Sequence, residues 1–175
     1  MLKPRRKSSG ITLIELLISV ALISILTLLA VPAFQHWIQN AQIRNAAEGI
    51  LNGMQLAKAE AVRRNTPVEI VLDGNSGWAI ATVAGAVPIQ QRSGQEGSNL
   101  TAVAILPADA NRITFNGMGW VATNADFTPA ISQIDVTSAA MAGTELRPLR
   151  LVVTAGGSIK MCDPAVGAGD PRVCP

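Results

Sequence analysis

The sequence predicts an α+β chain: one long N-terminal helix packed on an antiparallel β-domain. Two observations predict it. The first third of the 175 residues carries an apolar run followed by helical periodicity. The rest is made of short segments rich in β-branched residues, punctuated by Gly, Asn and Pro.

The apolar run comes first. Residues 11–34 hold a single charge, Glu15, and follow a leader containing Lys3, Arg5, Arg6 and Lys7. About 20 apolar residues suffice to cross a bilayer as a helix, so the run is long enough to span. By the positive-inside rule the basic leader stays cytoplasmic and everything beyond Phe34 goes to the far side. Glu15 is costly there, at least ~2.5 kcal/mol in hydrocarbon, and calls for a partner. No other charge lies in the run, so the partner comes from outside it. A cut between Gly10 and Ile11 would create an α-amino group that the Glu15 of a neighbouring copy or relative could neutralise. A conventional secretory signal, with Val31-Pro32-Ala33 as a poor cleavage site, and an uncleaved signal anchor are the competing readings of the same stretch.

Beyond Phe34 the pattern stays helical and becomes amphipathic. Ile43, Ala47, Ile50, Met54, Ala57 and Ala61 recur at spacings of three and four and align on one face. Gln42, Arg44, Asn45, Glu48, Gln55, Lys58 and Arg63 fall largely elsewhere. The helix is expected from about Ile11 to Arg64, with Gly49 and Gly53 as soft points and a kink or local melting at Pro32. It should end at Asn65-Thr66-Pro67.

Val68–Leu72 and Trp78–Val83 read as a hairpin around Gly74-Asn75-Ser76-Gly77. Residues 84–99 read as a loop with little order, and residues 138–143 as linker. Further strands are expected at 100–106, 112–115, 120–122, 131–137, 146–154 and 158–162, with Asn116-Gly117 and Gly156-Gly157 as hairpin turns.

Composition narrows the function. The chain fits one domain, with enough residues after the apolar run for a modest core. Net charge is +2 over the whole chain, and removing the four leader cations leaves −2, so a strongly electropositive surface is not implied. Cys162 and Cys174 are the only cysteines. In an exported domain a disulfide is their simplest arrangement, and two free thiols are the alternative. A zinc site would need two more ligands, and the only histidine, His36, lies just beyond the apolar run.

An active site is not expected, and neither is a cofactor. His36 suits a polar flank at a membrane interface. No Ser-His-Asp or Cys-His set can be built beyond it, and no Gly-x-x-x-x-Gly-Lys loop exists. Gly167-Ala168-Gly169 lacks the rest of a dinucleotide turn, and Asp109, Asp126 and Asp135 read as solvated surface. The aromatic set, Phe34, Trp37, Trp78, Phe115, Trp120 and Phe127, reads mostly as core or interface.

Gly10 followed by an apolar residue, with Glu15 at the fifth position after the cut and Pro32 at the twenty-second, resembles the class III signal of type IV pilins and type II secretion pseudopilins. Ile11 departs from the Phe usual there. The stretch Ala57–Val68, the strand opening at Gly77-Trp78, Ile113–Gly117 and the Cys-closed tail resemble the FimT/GspH branch of minor pilins and pseudopilins. The resemblance implies a type IV pilin-like fold and a three-part division. A leader at 1–10 is removed by a prepilin peptidase, residues 11–34 cross the membrane and form the filament core, and residues 35–175 form an amphipathic helix with a periplasmic β-domain. It also implies N-methylation of Ile11, an assembly role for Glu15, and a single-pass protein of the bacterial inner membrane. Its partners would be other pilin or pseudopilin subunits. Some FimT proteins bind DNA through Gly-Arg-x-Arg, which makes DNA a further partner to test. The matching place here reads Gly157-Ser158-Ile159-Lys160, and Arg147, Arg150, Lys160 and Arg172 are the candidate cations, the Lys lacking the bidentate fork of Arg. A structural minor pilin of a type IV pilus is the expected function. A GspH-type pseudopilin of type II secretion and a FimT-like DNA-binding pilin are the alternatives.

Overall fold

A computed structural model describes residues 10–175. The basic leader cations Lys3, Arg5, Arg6 and Lys7 lie outside the described residues. One helix, α1 (Leu13–Arg64), is followed by nine short strands. The chain divides into two compact units, Met1–Trp37 and Ile38–Pro175.

In the first unit the described residues are almost wholly the start of α1. Thr12 caps it: its Oγ1 accepts the Glu15 amide at 3.3 Å, satisfying a donor that the first helical turn would leave unpaired. Ser19, Ser24 and Thr27 return their hydroxyls to carbonyls three or four residues earlier, which hides these polar groups on the helix itself. Leu13, Ile14, Leu16, Leu17, Val20, Leu22 and their successors are exposed on every side. The helical assignment runs unbroken through Pro32, so the expected local melting is absent.

In the second unit the rest of α1 lays its small and apolar face on a β-domain. All six residues of the expected stripe, Ile43, Ala47, Ile50, Met54, Ala57 and Ala61, are at most 1% exposed. The helix ends in an αL cap at Asn65 (φ 50°), with the Thr66 amide donating to Ala61 O. Pro67 then prevents its continuation.

Strands β1 (Val68–Leu72), β2 (Trp78–Thr82), β3 (Pro88–Arg92), β5 (Arg112–Phe115) and β6 (Val121–Ala122) form one antiparallel sheet in the order β3-β2-β1-β5-β6. Strands β4 (Thr101–Leu106), β7 (Gln133–Ser138), β8 (Leu149–Val153) and β9 (Ile159–Cys162) form a second, in the order β4-β7-β8-β9. Hydrogen bonds from Ile131 N to Arg112 O and from Val121 N to Ala155 O tie the two together. Ile70, Ile80, Ile113 and Phe115 from the first sheet join Ile134, Val136 and Leu151 from the second in one core with the helix face. Burying each such side chain contributes about 2 kcal/mol.

Two expectations need correction. Residues 84–99 are not a structureless loop: Ala84–Ala86 form a 3₁₀ turn and β3 follows. β3 is an edge strand opening on Pro88, whose missing N–H is tolerated there, and its side chains are mostly exposed, so the usual apolar alternation is missing. Gly53 is not a soft point in α1. It is buried beneath the Trp78 indole, and the indole Nε1 donates to Gly49 O at 2.9 Å.

Candidate functional site

The N-terminal site belongs to the first unit. Gly10 and Ile11 precede the Thr12 cap in non-helical backbone, and Ile11 is 76% exposed. The bond between them, the expected place of the cut, lies just outside the first helical turn and is free of helix hydrogen bonds. Glu15 occupies the third helical position, where the unpaired amides and the helix dipole favour a negative charge. Sequence reasoning assigned Glu15 an intermolecular role only; the Thr12-x-x-Glu15 spacing of a capping motif was the local signal that it passed over. Pro32 and His36 follow on the same helix, and His36 Nδ1 is buried without a hydrogen-bond partner among the described residues. Phe34 and Trp37 stack on each other, ring centroids 5.7 Å apart.

The second unit holds the four cations proposed for DNA. β8–β9 register sets Arg150 opposite Cys162 and Val152 opposite Lys160, so Arg150 and Lys160 share a face. On that face Arg150 is committed to Asp135, with Nε–Oδ1 at 2.6 Å and Nη2–Oδ2 at 3.0 Å. This bidentate pair raises the Arg150 pKa and makes Asp135 a structural anion rather than free surface. Lys160 stands exposed on β9, an edge strand. Arg147 and Arg172 line a cavity of about 200 Å³ together with Cys162 and with Arg44 of α1. Arg172 binds Asp170 through Nε and Nη2, which holds the Asp170 carboxyl at about 2, well below its ordinary range. Arg150 and Arg172 are thus each paired with a carboxylate, while Lys160 stands exposed on the β9 edge and Arg147 borders the cavity.

Gly157, first of the Gly157–Lys160 segment, has a packing reason to be glycine. Its φ is +73°, a Cβ would collide with Gly119 O, and its carbonyl accepts Lys58 Nζ at 2.8 Å. Asp126 is likewise structural: it accepts the Thr128 amide and hydroxyl, meets Arg112 Nε at 3.1 Å, and has its pKa lowered, chiefly by the Thr128 hydroxyl. Cys162 and Cys174 form a disulfide with Cα atoms 5.0 Å apart. Among the described residues no cluster of His, Cys, Asp and Glu is placed to hold a metal ion.

The aromatic set divides between core and surface. Trp78 and Phe115 are core, but Trp120 and Phe127 are 56% and 87% exposed, as Phe34 and Trp37 are in the first unit. Trp120 is held out by its turn: Asn116 Oδ1 accepts the amides of Met118 and Trp120, and Asn116 N donates to Trp120 O.

Comparison with known proteins agrees with this architecture. Residues 46–157 match the family of the type II transport protein GspH, and residues 5–31 match the prokaryotic N-terminal methylation motif. No curated protein matches the chain. Two crystal forms of the type IV minor pilin FimU of Pseudomonas aeruginosa strain PAO1 share its fold. The P21 form has a TM-score of 0.52 at 19% identity, over 68% of this chain and 87% of that one. The P65 form gives 0.51 at 20% identity, over 67% and 90%. With a GspH match over more than half its length and the methylation motif at its apolar N-terminus, the chain belongs to the GspH family and is a minor pilin or pseudopilin.

Proposed function

We propose that the chain is made as a membrane-inserted precursor, cut between Gly10 and Ile11 by a prepilin peptidase, methylated on the new Ile11 amine, and drawn into a type IV pilus as a minor subunit. Its second unit then stands in the periplasm, anchored by a single pass through the inner membrane. The observation that carries this reading is an α1 start that is apolar on all sides, with none of its most apolar window buried, and that bears one carboxylate. A helix apolar all round needs either lipid or other helices. Leaving lipid for a bundle of like helices gains nothing from hydrophobic transfer, so packing and polar contacts decide the step. Glu15 pairing with the α-amino group of a neighbour sets the axial register, and Pro32 gives the helix a point of bending.

A second reading has its own support. The matched family is named for type II transport, which favours a pseudopilus as the host filament. The Cys-closed tail and the fold shared with a type IV minor pilin favour the pilus.

The test is the N-terminal sequence and intact mass of the chain from its native membrane, with and without the peptidase, followed by the content of sheared filaments. N-methylated Ile11 and loss of incorporation in E15Q support the proposal. A start at Met1 or near Phe34 overturns it, and recovery with secretion components only moves the chain to the pseudopilus.

A further inference from the structure

The cavity lined by Arg44, Arg147 and Arg172 is built from three separate segments, and each is fastened. α1 contributes Arg44 and, one turn earlier, Asn40. The Asn40 amide grips the loop before β8: Nδ2 donates to Glu145 O at 3.0 Å, and Oδ1 accepts the Arg147 amide at 2.9 Å. Arg147 is thereby set beside Arg44. The tail brings Arg172, clasped by the disulfide and by the hydrogen bond from Asp163 N to Arg172 O at 2.8 Å. Leu149 and Met161 supply apolar lining.

Charge and size then define the guest. Arg172 is occupied by Asp170, whereas the guanidiniums of Arg44 and Arg147 have no hydrogen-bond or ion-pair partner among the described residues. Arginine stays protonated at any physiological pH, so two permanent cations with forked donors face a common space. Three arginines against Asp163 and Asp170 leave a local excess of one positive charge, enough for a single anionic group. A volume of about 200 Å³ falls below the ~300 Å³ at which pockets for drug-sized ligands begin. A nucleic-acid backbone presents a row of phosphates and is tracked by an open cationic groove. This site is a pocket with one net charge and an apolar lining. A carboxylate on a short aliphatic stem fits all three properties: the forked donors take the carboxylate and the lining takes the methylenes.

We propose that this pocket receives an acidic side chain of a neighbouring polypeptide, with Arg44 and Arg147 as the groups that bind it. The proposal rests on the assembly reading only for the source of the partner. Neither Arg44, absent from the cations singled out in the sequence, nor its pairing with Arg147 follows from any motif.

The test titrates the isotopically labelled full chain in detergent micelles with four probes: a capped Gly-Glu-Gly peptide, its Gln counterpart, inorganic phosphate and a short DNA duplex. The readout is the amide and arginine Nε–H shifts. Saturable shifts confined to the pocket are expected with the Glu peptide and not with the Gln peptide, with an affinity at least tenfold weaker in R44Q/R147Q and unchanged in K160Q. K160Q removes one charge that does not line the cavity. R147K should recover part of the loss, because charge remains and the fork does not. Equal shifts with the Gln peptide, or a loss in K160Q matching that in R44Q/R147Q, overturn the proposal. Tighter saturation by phosphate or DNA also overturns it and reassigns the pocket to phosphate. An unchanged unfolding temperature in R44Q/R147Q establishes that lost binding is not lost folding, and N40A, which frees the Arg147 loop, should weaken binding without removing either cation. Failure here with Ile11 still processed and incorporated leaves the assembly reading intact; binding here with an unprocessed N-terminus does the reverse.

Discussion

Replacing Gly53 by Ala sets helix propensity against packing, and the structure decides which wins. In an isolated helix the change stabilises by about 1 kcal/mol. Here an alanine Cβ would sit 2.6 Å from Trp78 Cε2 and 2.9 Å from both Cδ2 and Nε1. The indole has nowhere to go: it is 6% exposed, and its Nε1 is tied to Gly49 O on the preceding turn. Relief must come from moving α1 off the sheet or from breaking that bond. Overpacking of this kind costs about 1–3 kcal/mol, and loss of the hydrogen bond about 1 kcal/mol more. After the propensity gain, G53A should be destabilised by about 1–3 kcal/mol, lowering Tm by roughly 3–12 °C for a domain of this size. Near-UV circular dichroism of the purified chain in detergent, followed through thermal unfolding, measures it. In a W78L background the notch is empty, and the same substitution should be neutral or stabilising. A G53A protein as stable as the parent, or an equal loss in both backgrounds, would refute the assignment of Gly53 to the indole.

Three further outcomes are expected. Asn124, 1% exposed, donates from Nδ2 to Thr128 O and Pro129 O and accepts the Thr114 hydroxyl, so N124A should cost about 2–3 kcal/mol by denaturant unfolding; a change below 0.5 kcal/mol would contradict the network. C162S/C174S releases the tail that carries Arg172 and should cost about 3 kcal/mol in the chain-entropy model; unaltered stability and unaltered protease resistance near Pro171 would show that the tail is held without the bond. Glu60, hydrogen-bonded first by Arg63 and then by Arg64, titrates at about 2 instead of its ordinary 4.5. Its folded pKa is depressed, so its contribution to stability is present above pH 4.5 and fades as pH falls toward 2. E60Q should therefore flatten the stability profile in that window and leave its shape at neutral pH unchanged, which unfolding midpoints at stepped pH would reveal.

What was legible in the sequence is what depends on neighbours along the chain. The apolar run, its lone Glu15 and the basic leader need only length and charge to imply a membrane helix. The stripe from Ile43 to Ala61 needs only the helical period, and it is buried throughout. Paired β strands flanking Asn116-Gly117 and Gly156-Gly157 follow from turn chemistry. Tertiary structure decided the rest. Edge strand β3 lacked a pattern because neither of its faces is fully covered. Trp120 is exposed although its chemistry favours burial, because its turn holds it outward. Gly53 became a notch only when β2 placed an indole above it. Above all, the cations were sorted by register and loop position: Arg150 to Asp135, Lys160 to an open edge, and Arg147 and Arg172 to a pocket with Arg44 from over a hundred residues away. Periodicity reports which face of its own element a residue occupies; only packing determines which other faces it meets.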